Sequence, residues 1–230
     1  MVTPEQLNQI SSFVRGYLFE TAPTSNQEWV RRAPRAAEYR WHHTLNVLRN
    51  AEAILEGEKA AGDAAQVVRV AVYLHDVSMF VCDHEIHGQV SAQMAEDFLS
   101  KMGLSPDFVA RVKRAIAEHG TDLGPLPPAE QGALFSWEGK VLLEADILDK
   151  LGASAIAGAL LALGGPSGLL PHEVAEAVSA GPAMEKAVVF KDYIWTPTGR
   201  ALAARRFAFF VEFLDRLQEE THEPGLKAAA

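Results

Sequence analysis

The stretch that decides the fold is VVRVAVYLHD, residues 67–76, in which a run of apolar residues ends on His75 and Asp76. The run is apolar on nearly every face, which is typical of a helix at the centre of a protein. A carboxylate buried at the end of such a helix is prohibitively costly unless it is paired, hydrogen-bonded or bound to a metal ion. The position of His75 and Asp76 therefore indicates a buried polar site.

Helical periodicity extends over almost the whole chain, and alternating strand-like runs bounded by turn residues are hard to find. The chain has 230 residues, 48% of them apolar, which suffices for one sizeable core. We therefore predict an all-α protein with a single domain over residues 1–230. Residues 120–136, rich in Gly and Pro, are expected to form a long loop near the functional site. The expected helices are 4–19, 26–30, 38–57, 63–76, 84–102, 106–119, 137–163, 171–179, 182–192 and 198–220.

Charge and composition narrow the class of partner and the location. The net charge is −9 and no Lys/Arg stripe is present, which argues against binding a nucleic acid polymer. The single cysteine, Cys82, excludes an internal disulfide and fits a reducing compartment. The start lacks a secretory pattern, and the uncharged stretch 151–171 is interrupted by glycines, so that its strongly apolar part, about ten residues, is too short to span a bilayer. We expect a cytoplasmic protein without a membrane partner, and the sequence leaves a homodimer open.

Two further polar residues occur where core residues are expected. Asp146 stands between Ala145 and Ile147 in the apolar segment VLLEADILDKLGA, and His43 shares a helix face with Val47, Ala51 and Ile54. Each has an ordinary structural alternative, since a core histidine can be hydrogen-bonded and Asp146 can pair with a Lys or Arg. Together with His75 and Asp76, they make a nitrogen and oxygen ligand set suited to one divalent cation: Mn, Fe, Co, Ni, Zn or Mg.

The order and spacing of these four residues resemble those of the HD-domain metal-dependent phosphohydrolases. That family has a histidine, then a His-Asp doublet, then a distant aspartate; here His43 stands in HTLNV, His75 and Asp76 in YLHDV, and Asp146 in EADILDKLGA. The similarity covers about residues 36–160, the expected HD-domain core, with residues 161–220 as C-terminal helices packed on it. The resemblance implies an HD-domain helical bundle in which these four residues bind a central divalent metal ion.

Three more residues are expected to act on the substrate. His87 opens the helix HGQVSAQMAEDFL and His119 closes RVKRAIAEHG, and both match places where many HD proteins carry histidines that bind phosphate or a second metal. A histidine at a helix end, such as His119, can instead simply cap carbonyl groups. Lys150 lies four residues after Asp146 and can share its helix face, although it can equally be a solvated lysine paired with Asp149 or Glu144.

The sequence also departs from the family pattern. Many members carry a Lys or Glu soon after the doublet, to hold phosphate or to activate water, whereas this chain has VSMF at 77–80. Met79 can do neither, so Asp83, Glu85, Glu144 or a histidine would have to serve. Asn46 stands where relatives commonly have an arginine, although Arg49 is one turn away.

The resemblance implies hydrolysis of a small phosphate ester, a nucleotide or similar phosphometabolite, by water activated on the metal. Two other hypotheses remain open. Some HD-fold proteins are di-iron oxygenases, and His43, His75, Asp76, His87, His119 and Asp146 have the residue types and number that such a site needs. Alternatively, the chain is a non-catalytic, metal-stabilised binding module that has lost the helper residue at position 79.

Overall fold

The computed structural model describes residues 2–120, 127–164, 173 and 191–221, and in these ranges it contains helices and no strands. The all-α prediction is therefore confirmed. The helices are α1 (Pro4–Thr21), α2 (Glu28–Arg32), α3 (Ala36–Gly57), α4 (Gly62–Leu74), α5 (His87–Lys101), α6 (Pro106–His119), α7 (Pro128–Leu134), α8 (Trp137–Asp149), α9 (Ala153–Gly164) and α10 (Pro197–Thr221).

Helix α4 is the centre of the bundle. It packs against α1, α3, α6 and α8, and its aliphatic side chains from Val67 to Leu74 are fully buried. This burial follows from the sequence, because a helix that is apolar on all sides is stable only when other helices surround it. The doublet comes directly after α4, with His75 at the C-cap, so His75 and Asp76 lie inside the bundle.

Several helix starts form as the sequence predicts. Thr3 and Gln6 make a reciprocal capping box at α1, and the Ser105 side chain accepts a hydrogen bond from the Phe108 amide at the start of α6. At α10, the Thr196 hydroxyl accepts the Gly199 amide at 3.0 Å. These caps satisfy amide groups that a helix cannot satisfy internally, which explains why the predicted starts agree with the structure within a residue or two.

Two predicted elements differ from the structure. The single helix expected over 137–163 is two helices, α8 and α9, because the chain turns at Gly152, whose φ of +77° is accessible mainly to glycine. The loop expected over 120–136 contains the short helix α7, which begins at Pro128, a favoured residue for the first helical turn. The predicted helix 171–179 and most of 182–192 lie outside the described residues.

Helix α10 joins the C-terminal region to the core by packing on α3, α8 and α9. Its approach is directed by Glu144 of α8, which is fully buried and accepts hydrogen bonds from the amides of Trp195 and Thr196 at 2.7 and 2.8 Å. The Thr196 hydroxyl donates to the same carboxylate at 2.5 Å. Within the described ranges, none of these helices is both long and apolar enough to cross a bilayer.

Candidate metal centre

Six histidine and aspartate side chains from five helices converge in the middle of the bundle. Five of them are buried, and only His87 is partly accessible. Three helices contribute their ends to the cluster, at the start of α5 and the ends of α4 and α6, whereas α3 and α8 contribute interior residues. The six residues are His43, His75, Asp76, His87, His119 and Asp146, which are the four predicted metal ligands and two of the three residues expected to act on the substrate.

His43, His75 and Asp146 form the first group, in which one ligand atom from each residue lies within 4.8 Å of the others. His43 Nε2 is 3.2 Å from Asp146 Oδ1. His75 Nδ1 donates to the Val72 carbonyl at 2.7 Å, which turns Nε2 and its lone pair toward the cluster. Among the described residues, His75 Nε2 and Asp146 Oδ1 have no hydrogen-bond partner although both atoms are buried.

Asp76 connects this group to a second one. Its Oδ2 atom is 3.3 Å from His75 Nε2 and 3.5 Å from His43 Nε2. Its Oδ1 atom faces the other way and lies 3.4 Å from His87 Nε2 and 3.8 Å from His119 Nε2. His75, Asp76 and His119 also place ligand atoms within 4.8 Å of one another. One carboxylate therefore borders both groups of imidazoles.

His87 and His119 are brought together by a close contact between two helix ends. The residue after each is a glycine, and a Cβ added to Gly88 would lie 2.7 Å from the Gly120 Cα. Both imidazoles turn Nδ1 to a carbonyl of their own chain segment, His84 and Ile116, at 2.5 Å. The Nε2 atoms consequently face each other at 3.3 Å, beside Asp76.

Burial and the neighbouring charges set the protonation of the cluster. Burial lowers the pKa of His43, but the carboxylates of Asp146 and Asp149 outweigh it and raise the pKa to about 9. Burial also opposes ionisation of Asp76 and Asp146, yet His75 with Arg40, and Lys150 with His43, hold the pKa of the respective carboxyl well below its usual range.

Burial and the nearby His119 lower the pKa of His87 to about 4, against the attraction of Asp76.

These residues fit a divalent cation. A buried imidazole nitrogen and a buried carboxylate oxygen without hydrogen-bond partners are costly in a protein interior. Bound cations remove that cost, and mixed histidine and carboxylate sets are the ligands that transition metals and zinc use in proteins. His75 Nε2 and Asp146 Oδ1 are therefore the atoms that most directly indicate a site for a cation.

Among the described residues, two positively charged side chains border the cluster, and only one of them was predicted from the sequence. Lys150 Nζ lies 2.6 Å from Asp146 Oδ2, whereas the sequence left Asp149 or Glu144 as its alternative partner. Arg40 was missed, although its Nη1 atom lies 2.5 Å from Asp76 Oδ2 and the side chain is mostly buried. The signal was available, because Arg40 precedes His43 by three residues and so shares its helix face.

Asp149 is a second residue without a predicted role. Its Oδ2 atom is 2.8 Å from His43 Nδ1, so it orients the ring and leaves Nε2 to face Asp146 and Asp76. Carboxylates commonly hold metal-ligating histidines in this way. The spacing carries this signal too, because Asp149 follows Asp146 by three residues on α8.

The proposed substitutes for a helper at position 79 do not all reach the cluster. Glu144 accepts hydrogen bonds from the amides of Trp195 and Thr196, and so it holds the C-terminal region in place and does not border the cluster. Met79 is buried in the apolar core, and Asp83 and Glu85 are exposed. Among the predicted substitutes, the histidines of the second group are the ones that border Asp76.

Comparison with known proteins agrees with this architecture. A family model for the HD domain matches residues 40–151. The chain is 30% identical over 192 residues to the Bacillus subtilis (strain 168) protein YpgQ, an alignment that covers 82% of this chain and 86% of YpgQ.

Solved structures show the same fold. The crystal structure of B. subtilis YpgQ in complex with ADP superposes with a TM-score of 0.65 at 23% identity and covers 99% of this chain and 100% of that one. A predicted HD superfamily hydrolase from an uncultured Thermotogales bacterium superposes with a TM-score of 0.56 at 25% identity and covers 91% of each chain. With its helical bundle, its central histidine and aspartate cluster and this similarity along most of its length, the chain belongs to the HD-domain family.

Proposed function

We propose that the protein is a metal-dependent phosphohydrolase that acts on a small phosphate ester, with a nucleotide as the substrate class. The observation that carries the proposal is the pair of buried, unpartnered ligand atoms, His75 Nε2 and Asp146 Oδ1, beside His43 and Asp76. We assign His43, His75, Asp76 and Asp146 as the metal ligands. A divalent cation held there would lower the pKa of water and polarise a phosphoryl oxygen.

The residues around the ligands suit a phosphorylated substrate. Lys150 is about half exposed, so its ammonium can leave Asp146 and bind a phosphate oxygen. His87 and His119 lie on the other side of Asp76, and because Nδ1 of each ring faces a carbonyl, Nε2 presents a lone pair there that can accept a hydrogen bond from the attacking water. Arg40 adds a fixed positive charge next to Asp76. This distribution of donors can hold the phosphoryl group and neutralise the charge that develops on it during transfer.

The similarity to known proteins supports a hydrolase and a phosphorylated ligand. The Thermotogales protein, 25% identical to this chain, is a predicted HD superfamily hydrolase. YpgQ, the relative that is 30% identical in sequence, has been crystallised with ADP. A nucleotide is accordingly the first substrate class to test.

The experiment is a phosphate-release assay on chelator-treated protein reloaded with Mn, Co, Ni, Zn, Fe or Mg. We expect release from at least one nucleotide in the presence of a cation and none in its absence. Asp76→Asn and His75→Ala should lower turnover by at least about a hundredfold, because each removes a ligand of a metal whose role is in the chemical step. His42→Ala is the matched control, since this neighbour of His43 is exposed.

A second function has one specific observation in its favour. His75, Asp76 and His119 form a second group that could hold an ion, and with His87 alongside, the six residues resemble the ligand set of a di-iron oxygenase. Elemental analysis distinguishes the two functions. Two irons per chain with oxygen-dependent turnover would establish the oxygenase, whereas cation uptake without any turnover would establish a binding module.

A further inference from the structure

A cavity of about 510 Å³ lies between α3, α10 and the turn that joins α8 to α9. It is separate from the metal centre, because none of the six clustered histidines and aspartates lines it. The nearest link is Asp149, which lines the cavity and bonds His43 Nδ1 through Oδ2. Since Nδ1 and Nε2 are on opposite sides of an imidazole, the cavity lies behind His43 as seen from the ligand atoms.

Three arginines converge on this cavity, although the chain as a whole carries a net charge of −9. Within the part of the chain that the structure describes, Arg49, Arg205 and Arg206 form no ion pair. Arg49 Nη1 donates to Asn46 Oδ1 at 2.8 Å, and Arg206 donates to Asn50 Oδ1 at 2.7 Å and to the Leu148 carbonyl. These hydrogen bonds go to neutral oxygens, and among the described residues that line the cavity the three arginines face one carboxylate, that of Asp149.

The arginines also repel one another. Burial lowers the pKa of Arg206, Asp149 opposes this effect, and the charges of Arg205 and Arg49 lower the pKa further. Guanidinium groups that outnumber the carboxylates around one cavity favour an anion with several oxygens, because each fork can bind two of them. The cavity thus has the electrostatic character of a phosphate site.

Other parts of the wall suit the same ligand. The first residues of α9, Ala153 and Ser154, line the cavity, and the first amides of a helix have no partner within it and attract anions. Phe209 on α10, which is about half exposed, and Leu151 also line the cavity and give it an apolar part. The volume is within the range of about 300–1,000 Å³ that is usual for small-molecule sites.

We infer that this cavity is a second binding site, distinct from the metal centre, for a small phosphorylated molecule with an apolar or aromatic group. Its phosphate would bind between Arg49, Arg205 and the start of α9, and its apolar part would contact Phe209. Because Asp149 borders both sites, an anion bound in the cavity would lie close to the carboxylate that orients His43. The inference does not depend on hydrolysis, since binding here requires neither the metal nor turnover.

The test is calorimetric titration of chelator-treated full-length protein with AMP and with adenosine at low salt. We expect AMP to bind at one site per chain and adenosine to bind at least about tenfold more weakly, because charge-assisted hydrogen bonds carry the affinity. The double variant Arg49→Ala/Arg205→Ala should bind AMP at least about tenfold more weakly, since it removes two exposed guanidinium groups that no core contact requires.

Two controls locate the site. Arg216→Ala removes an exposed arginine from the same helix and should leave AMP affinity unchanged. Arg40→Ala removes a cation from the metal centre and should also leave it unchanged. The inference is overturned if AMP does not bind, if adenosine binds equally well, if the double variant retains full affinity, or if Arg40→Ala abolishes binding. Thermal melting of each variant verifies that it is folded.

Discussion

At the scale of single residues, His43 combines most of the electrostatic features of the site. It lies among three carboxylates, with Nδ1 at 2.8 Å from Asp149 and Nε2 at 3.2 Å from Asp146. The metal-free protein therefore keeps a proton on His43, with a pKa of about 9, although the ring is buried. A cation that binds Nε2 must displace that proton.

This competition makes cation affinity depend on pH. Below the pKa of His43, about 9, binding of one cation releases one proton, so the dissociation constant should rise about tenfold for each pH unit of acidification. Titrating Co(II) or Mn(II) into chelator-treated protein between pH 7 and 9 measures the slope. Asp76 and Asp146 remain ionised over this range and should not contribute. If the cation affinity does not change between pH 7 and 9, His43 is not a ligand.

Arg40 allows metal binding and catalysis to be separated. Its guanidinium neutralises part of the charge on Asp76, so Arg40→Ala should leave cation affinity equal or higher. Turnover should fall by about 10- to 1,000-fold, because a fixed positive charge near the phosphoryl group is lost. Cation titration and phosphate-release kinetics on the same preparation give both values. Arg35→Ala, which removes an exposed arginine at the N-cap of the same helix, is the matched control.

If Arg40→Ala loses the cation together with the activity, Arg40 supports the ligands and has no part in binding phosphate.

At the scale of elements, the site depends on how closely α5 and α6 approach each other. Gly88 and Gly120 follow His87 and His119, and their backbones are in contact. A methyl group at either position would meet backbone, which cannot move aside as a flexible side chain can.

Gly120→Ala should therefore separate the two histidines and destabilise the fold by about 1–3 kcal/mol, the usual cost of overpacking a tight contact. Urea unfolding measures the loss of stability, and phosphate release should fall in protein that is still folded. Gly16→Ala is the control, because a Cβ there has open space in the middle of α1. Stability and activity both equal to wild type would contradict the proposed role of this contact.

The elements also show what local sequence can predict. Helix starts at Thr3 and Ser105 were predictable because the caps act over three residues. The break between α8 and α9 was missed because apolar helical periodicity continues on both sides of Gly152, although a glycine there is also a common signal for the end of a helix. The burial of the four proposed ligands was predictable because they are polar residues in apolar helices, and the family resemblance indicated that they belong to one site. The partners of Glu144 were not predictable, since they lie more than 50 residues further along the chain.

At the scale of the whole molecule, Glu144 joins the C-terminal region to the helix that carries Asp146. Glu144→Ala leaves the buried amide and hydroxyl of Thr196 without their acceptor, and should cost about 2–4 kcal/mol, since each unsatisfied buried group costs roughly 1–3 kcal/mol. Thermal or urea unfolding measures the loss. Glu144→Gln keeps an acceptor for the amides and should be milder. Equal stability of Glu144→Ala and wild type would show that this attachment is dispensable.

His43, His75, Asp76 and Asp146 are the proposed ligands of one divalent cation. The most direct test is a crystal structure of Mn-loaded protein with anomalous scattering data. We predict an anomalous peak bounded by His43 Nε2, His75 Nε2 and the carboxylates of Asp76 and Asp146, and no such peak in Asp146→Asn. A fully loaded crystal without a peak among these four residues would contradict the account.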